Sequence, residues 1–245
     1  MRRLCSLLIF AAFTAALGAW EDELLTKLEF GFATNVAVEG IERAGEGVRA
    51  GVDFSSAGFR GEVTIHQPFD RGEPRVSRLA LRHSWTIGEE FSLGLSARHF
   101  RQDGAPANVT RHRSQLGAVL AWTRVDGWTP SVAYHRDLRL QADLAEVRLA
   151  RSLALPNLGA FLEWSVFAGW IDAADARPDA AGAAVSDTFS YYGAEARLPY
   201  RVGERTMLVV TGRLSGATGN AAFWSPTGRS GGTRAGVDLS VTFDF

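Results

Sequence analysis

Residues 233–245 read Thr-Arg-Ala-Gly-Val-Asp-Leu-Ser-Val-Thr-Phe-Asp-Phe and end the chain on an aromatic residue. After Thr233, every odd position through Phe245 is apolar, and every even position is small, polar or charged. An alternation with a period of two predicts a β-strand with one apolar face and one polar face. Terminal residues usually fray, so a regular strand at the very end of a chain is informative. It indicates that this strand is held by neighbours on both sides.

The same alternation recurs in eleven earlier segments. The apolar positions of the first are Leu28, Phe30 and Phe32, and those of the eleventh are Leu208, Val210 and Leu214. With the terminal strand this makes twelve segments, an even number, as bacterial single-chain barrels require. The ending on Phe resembles the last strand of outer-membrane barrels, which implies that Phe243 and Phe245 form the signal for the barrel-assembly machinery.

The predicted connections alternate strictly between short and long. Tight turns containing glycine occur at 55–58, 87–90 and 125–127, and 155–158 and 200–204 are also short. The longer connections are 36–47, 67–74, 101–111, 137–142, 172–187 and 216–231. Outer-membrane barrels sort their connections in this way. The prediction is an all-β protein: a transmembrane antiparallel up-and-down β-barrel of about twelve strands, with short periplasmic turns and longer extracellular loops, in the cell outer membrane.

The N-terminus carries the features of a secretory signal peptide. Arg2 and Arg3 precede an apolar stretch over 4–17, and small residues follow. We therefore predict a signal peptide at 1–18, cleaved near Gly18 or Ala19, and a single barrel domain at 19–245. An uncleaved anchor helix is the alternative, but the apolar stretch is shorter than the roughly 20 residues that a spanning helix needs.

Composition excludes several classes of function. The only cysteine, Cys5, lies in the predicted signal peptide, so the remaining chain has no disulfide, thiolate metal site or cysteine nucleophile. Without Arg2 and Arg3, 24 basic residues stand against 27 acidic ones, a net charge of about −3. This charge does not point to nucleic acid. No later stretch resembles a transmembrane helix, so strands must provide any membrane crossing. No cofactor and no metal site are predicted.

The polar face of the predicted strands carries ten positive and eight negative side chains. Charges inside a closed barrel must face water or one another, because isolated burial is prohibitively costly. Two interpretations remain open: the charges line an aqueous pore, or they pair across a plugged lumen. The residues predicted to line the pore are Arg49, Arg60, Glu62, Arg82, Arg98, Glu146, Arg148, Glu163, Glu195, Arg197, Arg213 and Arg234.

An enzymatic function has one candidate motif. His112-Arg113-Ser114 loosely resembles the His-x-Ser pair of lipid A deacylases, but the companions of that pair are missing around it. Nucleophilic catalysis also needs an orienting carboxylate and an oxyanion hole. The sequence therefore predicts that the protein is not an enzyme, and a lipid hydrolase stays the least favoured alternative. Asp172 and the acidic loop after it match no calcium-binding spacing.

Two segments near the N-terminus resemble a known family. Residues 31–41, Gly-Phe-Ala-Thr-Asn-Val-Ala-Val-Glu-Gly-Ile, are similar to the opening strand of the TorF-like porins, small proteobacterial outer-membrane proteins. Gly51-Val52-Asp53-Phe54 and Ala57-Gly58-Phe59 are similar to the strand and turn that follow. Val38-Glu39 stands where that family has a Phe-Arg pair. The resemblance implies a porin-like barrel with no catalytic residues.

The functional prediction is a porin-like, passive and weakly selective channel for small hydrophilic solutes or ions. The alternative is a non-conducting structural or surface-interaction barrel whose loops at 172–187 and 216–231 contact partners. The predicted partners are outer-membrane lipid and lipopolysaccharide, the barrel-assembly machinery and small solutes, without nucleic acid. The oligomeric state stays open.

Overall fold

The computed structural model describes residues 24–39, 41–105, 111–123, 127–172, 188–219 and 232–245. Twelve antiparallel strands in these ranges form a closed barrel, which confirms the predicted fold and strand number. The barrel strands are β1 (Leu25–Ala33), β4 (Gly47–Ser56), β5 (Phe59–Pro68), β6 (Arg75–Ile87), β7 (Phe91–Asp103), β8 (His112–Trp122), β9 (Trp128–Asp137), β10 (Asp143–Leu155), β11 (Ala160–Asp172), β12 (Phe189–Arg201), β13 (Thr206–Gly219) and β14 (Gly232–Asp244). Two short strands, β2 (Val36–Val38) and β3 (Ile41–Ala44), form a separate hairpin.

The barrel closes between its first and last strands. β14 pairs antiparallel with β1, with Lys27 opposite Asp244 and Phe30 opposite Val241. The backbone N–H of Phe245 extends this ladder by donating to the carbonyl of Thr26 at 2.9 Å. Because both strands are paired on both sides, neither presents an open edge. This is the pairing that the alternation in 233–245 predicts.

Apolar side chains cover the outside of the barrel. Phe30, Val132, Val147 and Val237 are each more than half exposed. A soluble protein rarely leaves so much contiguous apolar surface in contact with water, whereas a lipid-facing wall requires it. The register therefore assigns one face of each strand to lipid and the other to the lumen. Among the residues that the structure describes, no helix is long and apolar enough to cross a membrane.

The two ends of the barrel differ in their connections. At the end where β1 begins and β14 ends, which we call the turn end, Gly58, Gly88 and Gly127 have positive φ angles, a conformation that tight turns require and glycine adopts without strain. The opposite end, the loop end, carries the longer connections, although 138–142 is as short as 123–127. The predicted signal peptide and most of the loops at 172–187 and 216–231 lie outside the described residues.

Candidate functional site: a luminal hairpin above a charged wall

The hairpin β2–β3 folds into the lumen instead of extending from the loop end. Its second strand is fully buried, with Ile41 only 2% exposed and Ala44 not exposed. Ile41 belongs to an apolar cluster with Leu140 of the β9–β10 turn and with Ile171 and Phe189 of the barrel wall. This cluster lies at the loop end of β10–β13. The hairpin therefore packs against the wall through its own small hydrophobic core.

The tip of the hairpin reaches the opposite wall of the barrel. Glu39, which has a left-handed backbone (φ 54°), forms a salt bridge through its Oε2 with the guanidinium of Arg113 on β8. Gln115 on the same strand donates from Nε2 to Glu39 Oε1 at 2.8 Å. Since β8 lies nearly across the barrel from β1 in the strand order, the hairpin spans the lumen.

A second acid completes this buried network, which we call the latch. Arg113 Nε donates to Asp137 Oδ2 at 2.9 Å, and Asp137 Oδ1 accepts the backbone N–H groups of Arg139 and Leu140 at 3.0 Å each. Asp137 is not exposed at all. A buried charge without its partner costs about 3–5 kcal/mol, so the latch holds only while all its members are present.

The environment of Glu39 also determines its protonation. Burial alone would raise the pKa of Glu39, but the attraction of Arg113 and Arg43 and the hydrogen bonds from Arg113 and Gln115 outweigh it, so the pKa is lowered. The carboxylate is therefore ionised at neutral pH.

The base of the hairpin is fixed to two further parts of the wall. Glu42 forms a salt bridge with Arg234 of β14. At the end of the hairpin, the backbone N–H of Gly45 donates to Glu73 Oε2 at 2.5 Å, and the Gly45 carbonyl lies 2.9 Å from Nε2 of His66. The hairpin is thus tied to β14 on one side, to the β5–β6 connection on the other, and to β8 at its tip.

A cavity of about 260 Å³ lies beneath the hairpin. Val36 and Glu39 form part of its lining, together with inward side chains from most of the barrel wall, among them Arg98, Glu146 and Tyr191. Such a volume holds several water molecules or one small solute.

Towards the turn end the luminal charges are paired but exposed to water. Arg197 and Glu163 lie 3.0 Å apart, with side chains 41% and 49% exposed, and Lys27 and Asp244 lie 3.1 Å apart. Arg60 is 68% exposed, 3.9 Å from Asp53. This contrasts with the latch, where Arg113 is 4% exposed. The lumen is therefore wet at the turn end and filled at the loop end.

Nearer the middle of the barrel, the luminal ion pairs are less exposed to water, and some of their residues take part in two pairs. Arg213 lies 3.0 Å from Glu195 and 2.7 Å from Asp238. Arg49 lies 3.7 Å from Glu62 and 3.8 Å from Asp238. Shared pairs of this kind neutralise the wall formed by β12–β14, β4 and β5.

All twelve residues predicted to line the pore lie on the luminal face in the strand register. Their role in a pore stays a prediction, since most of them are also engaged in ion pairs. Sequence reasoning missed the latch residues Glu39, Arg113 and Asp137. The alternation along β8 and β9 places Arg113 and Asp137 on the luminal face. Nothing in the sequence of 36–47, however, distinguishes a luminal hairpin from an external loop.

Among the described residues, the possible hydrolase motif lacks the neighbours that a catalytic site needs. Ser114 and His112 face outwards, and Ser114 Oγ lies 2.9 Å from Nδ1 of His99 on β7. The His99 and His112 rings stack with centroids 6.3 Å apart. In the described part of the chain no carboxylate hydrogen-bonds either imidazole, so the orienting group of a triad is not in place.

No family model matches the sequence, so the resemblance to TorF-like porins stays a prediction. No curated protein matches it either. Two solved porins have a similar fold. The KdgM porin in complex with disordered oligogalacturonate gives a TM-score of 0.53 at 7% identity, over 90% of this chain and 99% of that chain. The NanC porin gives 0.52 at 8% identity, over 90% and 100% of the two chains. Identities this low show only that the chain has the fold of these porins.

Proposed function

We propose that the protein is a passive, weakly selective outer-membrane channel for small hydrophilic solutes, and that the hairpin β2–β3 forms its narrowest part. The proposal rests on two observations: the charged lumen at the turn end is exposed to water, and a cavity lies beneath Val36 and Glu39. An aqueous path lined by charged side chains is what a diffusion pore needs. The porin fold of the structural neighbours agrees with this function.

The experiment is single-channel recording of the purified, folded protein in planar bilayers. We expect small, ohmic steps that persist over a range of voltages and salt concentrations. A complete absence of channel events under these conditions would overturn the proposal. The folded state is checked separately by heat-modifiable migration in gels and a β-dominated circular dichroism spectrum.

A non-conducting barrel is the second candidate, and the fully buried latch favours it. Glu39, Arg113 and Asp137 are each at most 8% exposed, and the apolar cluster around Ile41 fills the adjoining part of the lumen. A variant that lacks 36–44 distinguishes the two candidates. If the wild type is silent and the deletion variant conducts, the hairpin is a plug and the barrel has a structural or surface role.

A further inference from the structure

Basic side chains on the outside of the barrel are confined to one sector of the wall. Near the loop end, the outer faces of β6–β9 carry Arg75, His99, Arg101, His112 and Arg136. In the strands that the structure describes, the outer faces of β11–β14, β1, β4 and β5 carry no arginine, lysine or histidine. The outward basic groups at this end therefore form a group on one side of the barrel.

Arg101 lies in the middle of this group. It is paired across the sheet with Ser77 on β6 and with His112 on β8. The His112 ring stacks on that of His99 with centroids 6.3 Å apart, and Nη1 of Arg139, from the turn after β9, lies 3.5 Å from the His112 carbonyl oxygen. These contacts make one continuous surface, which we call the basic rim: Arg75, His99, Arg101, His112, Arg136 and Arg139.

Two acids lie in the basic rim. Asp103 is shared by two arginines, since its oxygens lie 2.7 Å from Arg75 Nη2 and 2.6 Å from Arg101 Nε. Asp143 lies 2.5 Å from Arg136 Nη1. One carboxylate therefore serves two guanidinium groups on β6 and β7, and another serves one on β9.

The rim keeps an excess of positive charge. Among the residues that the structure describes, no carboxylate forms a salt bridge with Arg139, so four arginines face two acids. The guanidinium groups also remain accessible: the side chains of Arg75 and Arg101 are 49% and 54% exposed. The rim can therefore accept an anion from outside the barrel.

The basic rim lies at the upper edge of the apolar band. On β7, the outer positions that follow His99 towards the turn end are Ala97 and Leu95, and Leu95 is 52% exposed. On β6, Leu79 is 39% exposed and lies four positions from Arg75, about 13 Å along an extended strand. Charged side chains at such a boundary extend their polar ends to the headgroup region. The rim is thus at the depth of lipid headgroups.

We propose that the basic rim binds the phosphate groups of lipopolysaccharide, with Arg101 and Arg139 as its principal contacts. Outer-membrane barrels direct their longer loops to the outside, so the rim faces the outer leaflet, where lipopolysaccharide presents phosphates next to its acyl chains. Guanidinium groups bind phosphate through paired N–H donors. The inference rests on the outer-membrane orientation of the barrel and not on the channel function.

The first test measures the affinity of the folded, detergent-solubilised barrel for diphosphorylated lipid A by native mass spectrometry. An arginine near a membrane surface strengthens the binding of an anionic lipid by roughly fivefold, so Arg101→Gln/Arg139→Gln should weaken it by about 25-fold. The matched control is Arg151→Gln/Arg205→Gln, which removes the same charge at the turn end and should bind as the wild type does. Wild-type affinity in the rim variant, or an equal loss in the control, would overturn the proposal.

Two further probes identify the group that is recognised. Lipid A without phosphates should bind weakly to the wild type, because the rim then has no anion to contact. Pyrophosphate in solution should compete poorly, since only a lipid also gains from the apolar band. Tight binding of the dephosphorylated lipid would mean that acyl chains alone are recognised, and full competition by pyrophosphate would mean a site for soluble phosphates. Either result would overturn the assignment to lipopolysaccharide.

A gain of binding provides a test that misfolding cannot imitate. Asp103→Asn removes the acid that Arg75 and Arg101 share, so the binding of lipid A should become about fivefold tighter. Unchanged or weaker binding would contradict the proposal. A silent wild type that binds lipid A would disprove the channel and keep the rim, whereas a conducting barrel that does not bind it would disprove the rim alone.

Discussion

Glu39 at the tip of the luminal hairpin forms a salt bridge with Arg113 on the opposite wall of the barrel, 74 positions away in the chain. This contact ties a segment that leaves the barrel at β1 to the loop end of β8. Because Asp137 holds the other side of the same guanidinium at 2.9 Å, Arg113 is fixed between two acids. The tip of the hairpin is therefore held against β8 through a salt bridge to one buried arginine.

Replacing Arg113 with Gln should release the hairpin tip. The substitution leaves Glu39 and Asp137 buried without their shared cation, which costs about 3–5 kcal/mol, and the barrel wall keeps its backbone ladder. We expect a higher or noisier single-channel conductance and faster proteolysis within 36–46. Both are measured on the folded protein.

The matched control for the latch is Arg75→Gln. Arg75 also lies at the loop end but faces outwards, 2.7 Å from Asp103 and 49% exposed. Exposed pairs contribute little to stability, so this variant should behave as the wild type. If Arg75→Gln changes the conductance as much as Arg113→Gln, the effect is not due to the hairpin.

The latch should also respond to acid. The pKa of Glu39 is lowered in the folded protein, so the stabilisation that its charge gives is complete above the ordinary glutamate value and is lost as the pH falls through the lowered value. Conductance should therefore be constant from neutral pH down to the ordinary glutamate range and should rise only below it.

Glu39→Gln separates this effect from acid effects on other residues. The amide keeps the shape of the side chain but removes the charge, so the variant should show the released state at neutral pH and no further acid step. A rise in wild-type conductance between neutral pH and the ordinary glutamate range would contradict the prediction, since Glu39 remains ionised there.

Alternation along the strands was sufficient to predict the barrel, because each of twelve segments must place alternate residues in lipid. It also predicted the luminal face of residues such as Arg98 and Glu146, whose parity follows from their strands. The alternation could not predict that the hairpin β2–β3 lies inside the lumen. Val36–Val38 and Ile41–Ala44 do not alternate as a lipid-facing strand does, and their burial depends on Leu140 and Ile171, which are distant in sequence.

The alternation along the strands also could not predict which luminal charges form ion pairs. Parity shows that Arg213 and Asp238 share the lumen, but the 2.7 Å contact between them depends on how β13 and β14 are staggered. The stagger of β5 and β6 likewise places Arg82 opposite Arg60, so the register of each strand pair decides which cations lie beside an acid.

The seam between β1 and β14 should not tolerate a side chain at Gly31. A Cβ atom there would lie 2.4 Å from the carbonyl oxygen of Leu239 and 2.6 Å from the Cβ of Ser240, and the backbone atom cannot move without disturbing the ladder. We expect Gly31→Val to cost about 1–3 kcal/mol and to lower the temperature at which heat-modifiable migration is lost. Gly212→Ala on β13, where nothing lies within 4 Å of the added atom, is the control and should unfold as the wild type does.

Deleting Phe245 should impair assembly more than stability. Its backbone N–H donates to Thr26 at 2.9 Å, and its side chain is 67% exposed, so the folded barrel loses one hydrogen bond worth about 1 kcal/mol and little packing. If the terminal aromatic is read by the assembly machinery, the amount of protein inserted in cells should fall steeply. Refolding of the purified chain into detergent and the conductance of each inserted barrel should hardly change.

Asp244→Asn provides the comparison for this last variant. It removes the 3.1 Å salt bridge to Lys27 next to the terminus but keeps both Phe243 and Phe245. A similar loss of insertion in both variants would mean that weakened closure of the β1–β14 seam, and not recognition of the aromatic residue, limits assembly. Loss in the Phe245 deletion alone, with unchanged refolding in detergent, would assign the effect to recognition, because the same chain closes its barrel when the assembly machinery is absent.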